Sequence, residues 1–255
     1  MIDGRIAERR REVRQERQRR RRRRTLLVVL VLLIVAALVV VERSTLVALD
    51  EVRVVGTDRL TPDEVRDAAG LELGTSTLRL RLGTAEERVR DLPLVATAEA
   101  TRVDPLTVQI EVQERRPSLL VVGDGTSVLI DREGVIMVEE DLDGLPVVEL
   151  ADVPPVPGGS VDDHPALANA HAVWRGLSGP LRAEVVRYVA PDVDGLVLVL
   201  DQGIEVRFGS AERIDEKVRA LGAILGDVGD TPIAAIDVRA PRAPVVVPPG
   251  RTDDE

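Results

Sequence analysis

Hydrophobic and polar positions follow several periods along this chain, and one stretch has no charged position at all. From Thr25 to Val41 there is no charge, Gly or Pro. Seventeen helical residues rise about 25 Å, a little short of a hydrocarbon core of roughly 30 Å, and flanking Arg side chains can snorkel across the difference. A buried strand does not run this long, and a soluble core helix carries a polar stripe. The pattern predicts one transmembrane helix over residues 25–41.

After a short stalk, residues 42–48, the periods become those of a folded α/β protein. Leu49–Val55 reads as a strand with Val52 and Val54 on one face. Thr61-Pro62-Asp63-Glu64 has the pattern of a capping box with Pro at the first helical position, and Gly70 ends that helix. A second capping box, Thr84-Ala-Glu-Glu87, opens a helix with apolar Val89 and Leu92, ended by Pro93. Strands follow over Val95–Val103 and Leu106–Glu114, with Asp104-Pro105 as the turn. In the second, Leu106, Val108, Ile110 and Val112 alternate with Thr107, Gln109, Glu111 and Gln113, so one face is buried and the other wet. The order so far is β-α-α-β-β.

Strands are predicted next at Ser118–Val122, Val128–Asp131 and Val135–Val138, then a Pro/Gly loop over residues 153–159 and a helix over Pro165–Leu177. Leu196–Leu200 and Ile204–Phe208 read as a hairpin. Ser210 then caps a helix whose apolar face is Ile214, Val218, Leu221 and Leu225. Ile233–Arg239 is a strand and Val245–Val247 a last short one. The fold class expected is α+β: a transmembrane helix, a β-α-α-β-β module over residues 46–116, and a second mixed α/β domain over 117–249 built on a largely antiparallel sheet.

Charge orients this arrangement. Residues 1–24 hold twelve Arg against four acids, a net +8, and end in six consecutive Arg. Beyond Val41, 22 basic residues face 40 acidic ones, a net −18. An Arg-rich flank stays in the cytoplasm, so the N-terminus is inside and everything from Glu42 is outside. No aromatic residue is interleaved in the Arg run, and its place beside the bilayer explains it, so nucleic acid is not an expected partner. Val41-Glu42-Arg43-Ser44-Thr45 offers no small-residue cleavage site, which favours an uncleaved anchor over a signal peptide. Residues 250–255 form an acidic tail. With no Cys, the exported part has no disulfide framework.

The familiar chemistries of an exported surface lack their residues. There is no Cys nucleophile, and Ile214 stands three positions before Lys217, the only lysine, which excludes Ser-x-x-Lys. Gly176-Leu-Ser178-Gly-Pro180 lacks the last Gly of a nucleophile elbow. His164 and His171, seven apart, could share a helix face, yet no third metal ligand is suggested. The abundant Asp and Glu read as a solvated surface. No catalytic, cofactor or metal site is predicted.

Several phrases together resemble the FtsQ/DivIB family of bacterial cell-division proteins: Val52-Arg-Val-Val-Gly56, Leu60-Thr-Pro-Asp-Glu64, Leu92-Pro93, Val103-Asp-Pro105 and Val112-Gln-Glu-Arg-Arg-Pro117. Val128-Leu-Ile-Asp131 with Gly134-Val-Ile136, Leu145-Pro-Val-Val148 and Ile236-Asp-Val-Arg239 extend the likeness. The Glu114-Arg115-x-Pro117 exit is the most specific. The resemblance implies that residues 46–116 are a POTRA domain and 117–249 an FtsQ-type β domain. It implies a non-enzymatic division protein at the septal plasma membrane, in complex with FtsB/DivIC-like and FtsL-like coiled-coil proteins and other divisome membrane proteins. It further implies that the terminal strand, here Arg242, Ala243, Val245, Val246 and Val247, receives the FtsB-type partner by strand addition. The sequence departs from the family where Pro241, Pro244 and Pro248 crowd that strand. Two plainer readings stay open: the Val run pairs only within its own domain, or the prolines guard an edge against aggregation. The rival functions are an anchored POTRA chaperone or transport factor for exported polypeptides, and an anchored enzyme with an unfamiliar carboxylate site.

Overall fold

The alternation of residues 107–114 is realised as a strand that buries one face, except at Thr107, which was expected on the wet face and is buried. Val108, Ile110 and Val112 are buried while Glu111 and Gln113 are exposed. The computed structural model describes residues 26–36, 40, 47–138, 142–152, 155–228 and 232–249. Of the expected transmembrane helix, residues 26–36 and 40 are helical, and the large apolar side chains among them are exposed. The remaining positions of 25–41, the 1–24 tail and the acidic tail lie outside the described residues. Among the described residues no helix is long and apolar enough to cross a membrane.

The chain forms two compact units. One comprises Met1–Val55, Pro62–Glu86 and Glu99–Glu111, the other Gly56–Thr61, Glu87–Ala98 and Val112–Glu255. The small sheet has strands β1 (Glu51–Val55), β2 (Val95–Arg102) and β3 (Thr107–Glu114) in the order β1-β3-β2, with β1 parallel to β3. Helices α1 (Pro62–Ala69) and α2 (Leu82–Arg90) intervene in sequence, which gives the expected β-α-α-β-β order. Val65 and Ala69 of α1, and Ala85 and Val89 of α2, are buried. The second capping box is corrected: α2 starts at Leu82, because the Arg81 carbonyl already accepts from the Ala85 amide at 3.2 Å. Thr84 therefore lies within the first turn and does not cap it. Gly56, at φ +86°, has no alternative residue, since a Cβ there would stand 2.1 Å from the Val112 carbonyl oxygen.

Glu114 explains part of the motif at the exit of the module. Its carboxylate accepts from the backbone N–H groups of Asp58 (2.8 Å), Arg59 (2.9 Å) and Leu60 (2.9 Å). Burial works to raise its pKa, but these three donors and the Arg59 charge outweigh it and hold the carboxyl below its ordinary value. Arg115 then pairs with buried Asp131 at 2.6 Å, and Asp131 also accepts from the Val135 amide.

The large sheet has the order β11-β10-β9-β8-β7-β6-β4-β5. Its strands are β4 (Pro117–Gly123), β5 (Thr126–Asp131), β6 (Val147–Leu150), β7 (Val185–Ala190), β8 (Val197–Leu200), β9 (Glu205–Arg207), β10 (Ala235–Asp237) and β11 (Val245–Val247). Four of its pairings are antiparallel and three parallel (β4–β6, β6–β7, β9–β10), so the sheet is mixed and not largely antiparallel as expected. Asp124 (φ 43°) and Gly125 (φ 76°) join β4 to β5 with the two positive φ values a type I′ turn demands. Val135–Val138 is not a full strand: bridges and the bonds Met137 N–H to Leu129 O and Leu129 N–H to Val138 O lay it along β5.

Helices α3 (Pro165–Gly176), α4 (Gly179–Glu184) and α5 (Ile214–Val228) complete the unit. Leu119 and Val121 of β4 join a core with Leu167, Val173 and Trp174 of α3, while Leu120 between them turns to a smaller cluster with Leu129 and Met137. That split is the pleat itself. β7 and α4 were not foreseen, although Val185, Tyr188 and Ala190 are core residues. The strand expected over Ile233–Arg239 shortens to Ala235–Asp237. Ser210 does not cap α5, which starts four residues later beyond Arg213 at φ +54°. Instead the Ser210 carbonyl accepts from the buried Lys217 ammonium at 2.7 Å, beside the Phe208 carbonyl at 3.0 Å.

Two outcomes test this account. Ile110→Asp puts an unpaired charge in the core, a cost of several kcal/mol, and should unfold the fragment of residues 46–116. Gln109→Asp should be mild by circular dichroism, and equal effects would mean the register is wrong by one residue. Because the Glu114 pKa is depressed, its stabilisation is present above an ordinary glutamate pKa of about 4.3 and is lost as pH falls through the lower folded value. Glu114→Gln should therefore flatten the acid limb of the stability–pH curve; an unchanged limb would remove Glu114 from it.

Candidate partner-binding edge

Every strand interior to a sheet spends its main-chain groups on two neighbours, and an end strand spends them on one. At one end of the large sheet, residues 129–131 of β5 are covered by Val135–Val138 through the bonds just described. At the other, β11 pairs antiparallel with β10, its one strand neighbour among the described residues, in the register Ala235↔Val247, Ile236↔Val246 and Asp237↔Val245. Val245, Val246 and Val247 are 56%, 42% and 37% exposed.

The register of β10 with its two neighbours decides which groups face outward. On the β9 side, the Ala234 carbonyl accepts from the Glu205 amide and the Val238 amide donates to the Arg207 carbonyl. Main-chain groups alternate across a strand in the sheet plane, so Ala235 and Asp237 direct theirs toward β11. Val247 and Val245 are their partners and face β10, consistent with the Val247 carbonyl accepting from the Ala234 amide at 3.0 Å. The N–H and C=O of Val246 then point to the open side.

The surroundings of this strand are polar. Arg242 is exposed and lies 3.7 Å from the Glu216 carboxylate of α5. Glu216, Arg219 and Ala220 of α5 line a shallow cleft with Pro241 and Arg242. The Ala243 amide donates to the Ala240 carbonyl, turning the chain before Pro244 and β11. In β10, Asp237 receives Arg239 at 2.5 Å; that side-chain bond, followed by the Arg239 backbone amide, holds its carboxyl below the ordinary range. α5 is fixed at its start by Lys217, and Asn169 of α3 holds the same loop through the Gly209 carbonyl and the Ala211 amide. Of the residues expected at the site, Val245, Val246 and Val247 form the edge strand, and Arg242 and Ala243 lie in the approach to it. The flanking cleft residues Glu216 and Arg219 were not foreseen; they lie far away in sequence, on the polar side of a helix read only for its apolar face.

The two histidines serve the framework. His164 caps α3, its Nδ1 accepting from the Leu167 amide at 3.3 Å. His171 is buried, donates from Nε2 to the Arg132 carbonyl at 3.1 Å and stacks on Trp174. Desolvation first, with Arg175 adding, holds its pKa below the ordinary value against the opposing carbonyl bond. Among the described residues no group of three His, Asp or Glu could hold a metal ion.

Residues 47–115 match the family described as the FtsQ-type POTRA domain, and residues 119–239 match the FtsQ/DivIB cell division protein C-terminal domain. The chain is 33% identical over 207 residues to the cell division protein FtsQ of Streptomyces bingchenggensis, covering 80% of this chain and 77% of that protein. It is 32% identical over 203 residues to the FtsQ of Mycobacteroides abscessus and 30% identical over 209 residues to that of Mycobacterium leprae, covering 79% and 78% of this chain. It spans 62% and 56% of the length of those two relatives.

The edge geometry has a direct check in amide exchange of the isolated protein. Val245 and Val247 should exchange roughly tenfold or more slowly than Val246, since only their amides are engaged. The reverse order would shift the β10–β11 register by one residue.

Proposed function

Because the chain belongs to the FtsQ/DivIB family of cell-division proteins, we propose that it is a membrane-anchored divisome scaffold that receives a partner strand at β11. The family is one of non-enzymatic division scaffolds. Its members act through protein–protein contacts within the divisome. The observation that carries the reading is the outward-facing main chain of Val246 on β11, an end strand whose one neighbouring strand among the described residues is β10. An extended segment laid along β11 would satisfy that N–H and C=O, and the exposed valine side chains would give it apolar contacts.

The partner in this reading is an FtsB/DivIC-like coiled-coil protein, with an FtsL-like protein bound to it. Arg242, Arg219 and Glu216 flank the added strand and favour a segment with charges of both signs beside its extended core. Residues 25–41 serve as the anchor, residues 46–116 and 117–249 as the two extracytoplasmic domains, and the +8 tail keeps the N-terminus cytoplasmic. The scaffold works at the division septum. By gathering the small coiled-coil partners there, it links membrane events to peptidoglycan synthesis with no reaction on this chain.

Val246→Pro and Val246→Thr separate this from a plain structural strand. Proline removes the outward donor and no bond within the sheet, so the protein should stay folded. Losing one hydrogen bond costs about 1 kcal/mol and stranding its buried partner about 1–3 kcal/mol more, so affinity should fall by roughly one and a half to three orders of magnitude. Threonine keeps the donor and the branched shape and should keep most binding. Co-purification of the FtsB/DivIC-like protein from membranes, with division assayed alongside, reads the outcome. Normal binding by a folded proline variant would exclude the β11 edge.

A further inference from the structure

The first unit carries exposed leucines at the end where the chain enters it. There the Leu49 amide donates to the Thr75 carbonyl, the Gly74 amide to the Leu49 carbonyl and the Thr77 amide to the Val47 carbonyl. Thr77, itself buried, donates its hydroxyl between the Val47 and Pro105 carbonyls. Arg102 donates to the Thr77 and Leu80 carbonyls at 2.9 and 3.0 Å. The start of β1, the β2–β3 turn and the loop of residues 71–81 are thereby fixed together as one rim. On that rim Leu73 is 65% exposed, Leu78 66% and Val103 53%.

Nothing in the fold requires large apolar side chains there. Each stands beside a hydrogen-bonded residue that already holds the backbone: Gly74 beside Leu73, Thr77 beside Leu78, Arg102 beside Val103. A rigid rim with apolar tips and polar backing is the form of a surface that dips into a lipid–water interface. The chain itself brings that interface within reach. Only residues 41–46 separate position 40 from Val47, and seven peptide steps span at most about 25 Å. Charges on the rim nearly balance, with Arg79, Arg81 and Arg102 against Asp50, Glu72 and Asp104. The apolar side chains, and not headgroup attraction, would therefore hold the contact, while the arginines can lie along the headgroups.

We propose that Leu73, Leu78 and Val103 insert into the outer phospholipid interface and dock the first unit on the membrane beside its anchor. The inference rests on residues 25–41 being that anchor. The docked surface is the end of the module at which the chain enters, and it shares no residue with β11.

The chain has no Cys, so single probes can be placed without background. The full-length protein carrying Leu73→Cys, Leu78→Cys or Val103→Cys, labelled with an environment-sensitive fluorophore, is reconstituted into phosphatidylethanolamine–phosphatidylglycerol vesicles. Val156→Cys and Val186→Cys, at exposed apolar positions of the other unit, are the controls. The rim probes should emit to the blue of the controls and be quenched by brominated lipid, and added salt should not reverse this. Water-like emission at all three rim positions, in protein that stays with the vesicles after an alkaline carbonate wash, would overturn the docking while leaving the anchor intact. Loss of the protein in that wash would overturn the anchor and the docking with it. Rim probes that are wet in vesicles but shielded in native membranes would assign the surface to a protein and reject lipid.

Discussion

Main-chain hydrogen bonding at a sheet edge is the constraint on which the functional reading depends. Each strand added to a sheet satisfies its neighbour and leaves its own far side open. The large sheet resolves this at β5 by laying Val135–Val138 along it, with Asp131 held between the Val135 amide and the Arg115 guanidinium. It does not resolve it at β11. Pro244 and Pro248 bracket that strand and contribute no donor, so the open edge is confined to three residues. A three-residue edge between prolines is too short to recruit another copy of a long strand, yet it keeps one outward donor and acceptor at Val246. Protection against aggregation and availability to a partner are therefore compatible here; proline placement supplies the first and strand alternation the second.

Charged side chains at the loops are spent on geometry. The Glu114 carboxylate gathers three amides ahead of α1, Arg115 and Asp131 form a largely buried pair, and Lys217 gathers two carbonyls ahead of α5. For Asp131 and Lys217, which are buried, these partners are what makes burying the charge tolerable. Lys217 matters most for the edge. It and Asn169 fix the loop of residues 208–211, and α5, which follows directly, supplies the polar wall beside Arg242.

How much of this was readable from the sequence follows from how local each signal is. The β3 alternation, the Asp124-Gly125 turn and the α5 apolar face depend on neighbours in sequence, and the structure bears them out. Thr84 and Ser210 look like caps by the same local rules, but the helices start elsewhere: the Arg81 carbonyl already accepts from the Ala85 amide, and α5 begins only beyond Arg213, with the Ser210 carbonyl taken by Lys217. The β7 strand was missed because Val185-Val-Arg-Tyr-Val-Ala190 follows a short helix without turn residues between them. The register shift between Val185 and Arg187 puts two exposed positions side by side and breaks the alternation that periodicity relies on. The mixed sheet was out of reach for a related reason, since parallel pairing is set by connections that cross the sheet. The Val run near the C-terminus was legible as a strand. That it ends the sheet, and that Val246 faces outward, required the register.

An anchor of one helix leaves an exported module free to swing about its tether. A second contact at the rim of residues 73–103 would remove most of that freedom, because two attachment points fix an orientation where one fixes only a distance. The leucines and the valine edge share no residue. A rim defect would widen the tilt of the first unit and leave the intrinsic affinity of the edge unchanged, whereas an edge defect would do the opposite.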